Sequence, residues 1–285
     1  MARTTNRLLD TKTWGLLEWS IACNVGISLL VWISGSILAL VGLPAGWLGR
    51  LLKFVPDTYW LVRRPWSVLT YSLVHSGLLH LAINMAILWF IGRRFIEVFG
   101  ERRFVPLYLM AALSGSLLYL GGYSLLQALG IFVLPLGLVG SSAAIIALIF
   151  ALAFYTPWLK LQTPLGRIGY AQMAGGILLL QLLLMLDNLG GQLAHIGGAA
   201  VGFVFGYCLR KQGRDITEPI SKLIDRLAVL LRQKRPNRTK KTREKTDLPV
   251  NQILDKLRQS GYGSLSADEK RQLFSASDRD KKQQS

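Results

Sequence analysis

Six apolar stretches along this chain are long enough, or nearly so, to cross a lipid bilayer, and their recurrence limits the fold more than any other feature. A spanning helix needs about 20 apolar residues. The stretches run Ile21 to Val41, His75 to Ile91, Phe104 to Leu126, Leu138 to Ala153, Met173 to Leu186 and Gln192 to Leu209. The second, fourth and fifth reach that length only with their flanks. Charged residues make up 17% of the 285 positions and the mean hydropathy is +0.36, which is too apolar for a soluble domain of this length. The expectation is an all-α membrane protein, a compact bundle of six transmembrane helices with a small helical tail.

The formal net charge is +17, and 20 of the 33 Lys and Arg residues lie from Arg210 onward. Basicity is therefore a property of the tail. A basic segment directly after a membrane span points to anionic lipid as its partner and not to nucleic acid. Ile216, Ile220, Leu223, Ile224, Leu227 and Leu230 recur at helical spacing, with Lys222, Arg226 and Arg232 on the other faces, the pattern of an amphipathic helix lying on a membrane. Gln233 to Thr246 reads as a charged, disordered linker. Asn251 to Gln259 and Ala267 to Phe274 read as two short helices around Gly261 and Gly263. The second opens on Ser266-Ala267-Asp268-Glu269, a capping box. The expected division is an N-terminal segment at 1–20, the bundle at 21–210, a basic amphipathic helix and linker at 211–246, and a small helical module at 247–285.

Lys and Arg in the connections set orientation. One side holds Arg3, Arg7 and Lys12, then Arg93, Arg94, Arg102 and Arg103, then Lys160 and Arg167, then the tail. The other holds Arg50, Lys53, Arg63 and Arg64 in the first loop and none after the third and fifth stretches. Both termini are expected in the cytoplasm, as for a multi-pass membrane protein. The loop from Gly42 to Val74, with Pro44, Trp47, Pro56, Trp60, Pro65 and Trp66, is expected to lodge at the membrane surface. No secretory signal peptide is recognised at the polar, basic start. Cys23 and Cys208 lie inside apolar segments and read as packing residues, giving neither a disulfide framework nor a thiolate metal site.

In this orientation the second, fourth and sixth helices all begin on the outer side. His75, His80 and Asn84 fall in the first three turns of the second, Ser142 in the first turn or two of the fourth, and His195 in the first turn of the sixth. At about 1.5 Å per residue they share a layer roughly 5 to 15 Å below the outer ends. The chain has no other histidine. A serine alone is explained by close helix packing, and a single histidine by a hydrogen bond that locks two helices. Their coincidence at one depth, where polar groups are costly, points to a functional site. His80 and Asn84, four apart, share a helix face. His75, five before His80, is turned away from it and is expected to bond loop backbone or water. Gly198, Gly202 and Gly206 form a ladder that admits a neighbouring helix almost to backbone contact. If that neighbour is the fourth helix, His195 meets Ser142.

In order along the chain, His80-Leu81-Ala82-Ile83-Asn84, Gly140-Ser141-Ser142 and Ala194-His195-Ile196-Gly197-Gly198 with Gly202 resemble the HxxxN, GxS and AHxxGxxxG motifs of the rhomboid family of intramembrane serine proteases. The resemblance covers about Trp60 to Arg210. It implies Ser142 as nucleophile, His195 as its general base, and His80, Asn84 and the backbone N–H of Ser142 as an oxyanion hole, with His75, Gly140, Gly198 and Gly202 in support. It implies transmembrane proteins as substrates, cut near the outer face at a small residue beside a helix-weakening segment, and no cofactor. A charge-poor fifth helix with Gly175 and Gly176 is the candidate lateral gate.

The chain departs from the family pattern in places. Ala143 stands where the family usually has glycine, and its methyl is expected to tighten the approach of the sixth helix. Ser67 follows Trp66 where an arginine is frequent, leaving its role to Arg63 or Arg64. Ile146 replaces a tyrosine that in some members packs on the histidine. Glu97 matches an acidic position that fixes cytoplasmic helix ends. Ser141 is the rival nucleophile, rotated about 100° from Ser142, so only one of the two can face His195.

Other classes fit less well. A membrane metalloprotease needs HExxH, which is absent, and an aspartyl protease needs two aspartates at depth, where Asp187 is the only candidate. A three-histidine metal transporter lacks carboxylate or thiolate company. A catalytically inactive relative that binds transmembrane helices would be marked by loss of the serine or the histidine, and both are present.

Overall fold

The computed structural model describes residues 14–132, 134–163, 166–183, 188–234, 250–260 and 265–273. The expectations for Arg3, Arg7, Lys12, Asp187, Gly261, Gly263, Phe274, the end of the fifth stretch and most of the linker fall outside them. Six helices occupy the six apolar stretches: α1 Leu16–Leu40, α2 Leu78–Phe99, α3 Phe104–Ala128, α4 Ser142–Tyr155, α5 Tyr170–Leu183 and α6 Leu189–Gln212. Among the described residues, α1, the helical run Glu101–Ala128 and α6 are each long and apolar enough to cross a membrane. A fourth crossing is made if α2 is counted with Ser67–Leu73, to which it is bent by 92°.

α4 and α5 have 14 residues each, a rise of about 21 Å against roughly 30 Å of hydrocarbon. α4 is apolar all round, the composition of a helix with no water face. Every residue from Ala143 to Ala153 is buried, and α2, α3, α5 and α6 all pack against it. It is the axis of the bundle. The glycine ladder of α6 lies on it. A Cβ added at Gly198 or Gly202 would land on the carbonyl oxygen of Ala143 or Ala147, and one at Gly206 would lie 2.7 Å from that of Ala151. The next residue round the helix, Gly197, meets the other neighbour, where a Cβ would sit 2.8 Å from the Ser114 carbonyl oxygen of α3. α6 is thus wedged between α3 and α4 at backbone distance, a contact that only residues without side chains permit.

The first loop is a chain of short helical turns, Trp47–Leu52, Thr58–Arg63 and Ser67–Thr70, closed by the 3-10 turn Tyr71–Leu73. Trp66 Nε1 donates to the Leu51 carbonyl at 3.0 Å and Thr70 Oγ1 to that of Leu52 at 3.0 Å. Arg64 lies over the Trp60 ring and donates to the Arg50 carbonyl, while Arg63 lies over Tyr59. Arg64 therefore ties two turns of the loop together, whereas Arg63 stays within one. Phe54 and Leu138 exchange backbone hydrogen bonds of 3.3 and 2.7 Å, joining this loop to the segment that leads into α4.

At the other end of the bundle, Arg103 donates to Asp215 at 2.7 Å and to the Phe99 carbonyl at 2.6 Å, and Arg102 pairs with Asp225 at 2.8 Å. The connection after α2 and the stretch after α6 therefore share one face of the bundle. Burial acts to raise the pKa of Asp215, but hydrogen bonds from Thr217 and the Arg103 guanidinium outweigh it and hold the carboxyl below its ordinary range. Among the described residues, the exposed carboxylate of Glu97 pairs with Arg94 of its own helix at 2.7 Å. α2 runs on past Ile91 to Phe99, which places both residues on one exposed helical face. The start of α1 is held instead by the carboxylates of Glu18, accepting from Gly15 N at 3.0 Å, and Glu101, accepting from Leu16 N. A hairpin of Lys160–Thr163 and Gly166–Gly169 joins α4 to α5, where sequence periodicity gave no strand.

The chain divides into two compact units, the first ending at Leu227. α7, Glu218–Lys234, follows α6 and exposes Leu223, Leu227, Val229 and Leu230. In the second unit, α8 Val250–Ser260 and the helical run 267–273 bury Ile253 and Leu265. The capping box is formed, with Ser266 N donating to Glu269 at 2.7 Å and Glu269 N to Ser266 Oγ at 3.3 Å. Lys256 bridges the two helices by binding the same carboxylate at 2.9 Å.

Candidate active site

The turn into α4 is set by one residue. Gly140 has φ +112°, a conformation L side chains rarely adopt. A Cβ there would also lie 2.9 Å from the His80 ring. The Gly140 N–H donates to the Tyr71 carbonyl at 3.0 Å, and Tyr71 Oη donates to that of Ala112 at 2.9 Å, so the turn is anchored to the first loop and to α3. Helix begins at Ser142. Its first N–H groups have no partner within the helix and stand at the positive end of its dipole.

The two serines part at this turn. Ser142 is half-buried, and its Oγ lies 2.6 Å from Nε2 of His195, in the second turn of α6. Ser141 is fully buried, and its Oγ lies 3.4 Å from Nε2 of His75. His75 differs from expectation. Its Nδ1 is 3.1 Å from Ser28 Oγ of α1, and its ring centroid is 5.1 Å from that of His80. Among the described residues its ring bonds the side chains of Ser28 and Ser141, and it is not turned away from His80. The reason is that α2 begins only at Leu78, so helical rotation does not relate the two histidines.

On α2, Nδ1 of His80 is bonded to Ser76 Oγ at 2.9 Å, which leaves Nε2 directed at Gly140. Asn84, one turn on, is 5% exposed and brings its Nδ2 within 3.8 Å of the same Cβ position. His80, Asn84, Ser142 and His195 line one cavity of about 720 Å³, with Lys53 and Asn188 also on its wall. Among the described residues, no three His, Cys, Asp or Glu side chains gather to hold a metal ion.

Two further positions depart from sequence reasoning. The methyl of Ala143 faces α3, 3.3 Å from where a Gly115 Cβ would lie, and it is the backbone of Ala143 that meets Gly198. At the place of that tyrosine, Ile146 packs in the core. His195 Nδ1 is bonded instead to Gln181 Oε1 of α5 at 2.8 Å. Sequence reasoning passed over Gln181, although a lone amide in the run Leu178 to Leu183 carries the same signal as the histidines, a polar group where polarity is costly.

Apolar helices around an enclosed central helix, with a polar cavity at its start, define an integral, multi-pass, all-α membrane protein. Residues 62–212, which are 151 of the 285, match the family model of the Rhomboid domain, and the chain belongs to the rhomboid family. It is 25% identical over 151 residues to Rhomboid-like protease 3 of Toxoplasma gondii, covering 53% of this chain and 54% of that one. It is 31% identical over 147 residues to RHOMBOID-like protein 4 of Arabidopsis thaliana, covering 50% and 34%. Over 52 residues it is 40% identical to Inactive RHOMBOID-like protein 8 of the same plant, covering 18% and 15%. The chain spans about half or less of the length of these curated relatives.

Proposed function

We propose that this chain is an intramembrane serine endopeptidase acting on transmembrane proteins through a dyad of Ser142 and His195. The observation that carries the reading is the 2.6 Å contact between Ser142 Oγ and His195 Nε2 in a cavity that also holds two side chains able to donate hydrogen bonds. A hydroxyl needs an adjacent base to attack a peptide carbonyl. In the proposed reaction Ser142 Oγ bonds to the scissile carbon while its proton passes to Nε2 of His195. The carbonyl oxygen takes the charge between His80, Asn84 and the N–H of Ser142, as an oxyanion hole requires. Collapse expels the amine, which leaves with the proton from Nε2, and water then releases the acyl group by the same steps. His75, Gly140, Gly198 and Gly202 support this arrangement without touching substrate.

The proposed reaction domain is 21–210, set in a bacterial inner membrane with both termini cytoplasmic. The amphipathic helix within 211–246 lies on anionic lipid, and 247–285 is an appended module. The relative named inactive motivates a second reading, a helix-binding protein without catalysis. Labelling with a fluorophosphonate in detergent separates the two: the parent and Ser141→Ala label, while Ser142→Ala and His195→Ala do not. Equal labelling of Ser142→Ala rejects the dyad. Capture of a transmembrane substrate without labelling or cleavage supports the inactive reading.

A further inference from the structure

We infer that Gln181 is a positioning residue, holding His195 in the tautomer with its proton on Nδ1 and doing so only while α5 is packed on α6; the inference rests on the dyad reading above. Gln181 is 8% exposed and is flanked by Leu178, Leu179, Leu180 and Leu183. A primary amide in such surroundings is costly unless its polar atoms are paired. Its partner is one ring nitrogen of His195 at 2.8 Å, while the other ring nitrogen faces Ser142 at 2.6 Å.

A neutral imidazole has one N–H and one lone pair, and the group bonded to one nitrogen decides the state of the other. An amide can present either its oxygen or its NH2 group, and the two choices have opposite consequences. With the oxygen toward the ring, Nδ1 carries the proton and the lone pair of Nε2 is free to take the Ser142 proton. With NH2 toward the ring, that lone pair is spent on the amide, and Nε2 presents an N–H to Ser142. Transfer of the Ser142 proton settles the preference on chemical grounds. It makes both ring nitrogens N–H donors, so an amide oxygen stays bonded throughout whereas an NH2 group would oppose Nδ1–H.

The location of Gln181 adds the second half of the inference. Among the described residues, its bond to His195 is the one side-chain hydrogen bond between α5 and another helix. Leu178, Leu179, Leu180 and Leu183 on the same helix are exposed on the bundle surface. α5 is therefore held on its neighbours by apolar contact and by this one polar bond. Displacing α5 sideways removes the acceptor from Nδ1 and frees the ring to take the unproductive tautomer.

The test compares the parent with Gln181→Leu, which removes the acceptor, and Gln181→Glu, which keeps one. Two readouts are taken in detergent at pH 8: the rate of fluorophosphonate labelling and the 15N signals of the histidine rings, with His195 assigned by their loss in His195→Ala. The parent is expected to show Nδ1–H at His195. Gln181→Leu is expected to label about tenfold to a hundredfold more slowly, with an unchanged melting temperature and a ring no longer held as Nδ1–H. Gln181→Glu restores both. A parent ring found as Nε2–H, or Gln181→Leu labelling at the parent rate with the parent tautomer, overturns the inference. If the parent does not label at all, the dyad reading falls, and the 15N signals still decide whether Gln181 sets the tautomer, because that needs no turnover.

Discussion

Ser141 and Ser142 are adjacent in the chain yet stand in different environments: one fully buried against His75, the other accessible and against His195. A single glycine at positive φ, Gly140, sends the chain into the helix at the register that separates them. Asn84 belongs to the same scale. Its side chain has no structural partner among the described hydrogen bonds and is aimed at Gly140, so its removal should cost rate and not fold. Asn84→Ala is expected to lower kcat toward a transmembrane substrate about a hundredfold to a thousandfold, ~3 to 4 kcal/mol, with an unchanged thermal melt. Unaltered turnover would remove Asn84 from the oxyanion hole.

At the scale of elements, the bundle is organised by the contact of α6 with α4. Gly202→Ala places a methyl on the Ala147 carbonyl oxygen, and neither backbone can retreat without moving a helix. The expected loss is about 1 to 3 kcal/mol, read as a lower melting temperature in detergent. Gly175→Ala, on α5, meets nothing within 4 Å and should melt with the parent. If both variants melt alike, the glycine ladder is not what seats α6. The helices themselves were legible because apolar length is written in the sequence, and so was the depth shared by Ser142, His195, His80 and Asn84. Which helix the ladder faced was not, since a periodicity names a face and never its partner. The contacts of His75 were illegible for a related reason: a late helix start breaks the rotation rule, and composition does not mark that start. Gln181 was hidden by its own surroundings, one amide in a run of leucines that reads as lipid-facing.

Over the whole molecule, the Rhomboid match ends at residue 212, and the chain beyond that residue has a different physical character. α7 exposes Leu223, Leu227 and Leu230 at half or more of their surface, beside Lys222 and Arg226. Such a helix gains by laying its apolar face into a bilayer whose headgroups are anionic. Amide hydrogen exchange over 218–234 is expected to slow in nanodiscs containing phosphatidylglycerol relative to phosphatidylcholine alone, and the difference should shrink as salt is raised. Equal exchange in the two lipids would leave the tail without a lipid partner.

Because α4 is walled in by four other helices, bilayer thickness acts on this protein only from outside. α1, with 17% of its apolar window buried, takes up a mismatch by tilting or by thinning the lipid around it, at a fraction of a kcal/mol per Å. α4 is enclosed from Ala143 to Ala153 and opens outward only in its last turn, at Phe154. A thicker or thinner membrane thus reaches Ser142 through the helices packed around α4, and reaches His195 through α5, whose leucines lie on the bundle surface.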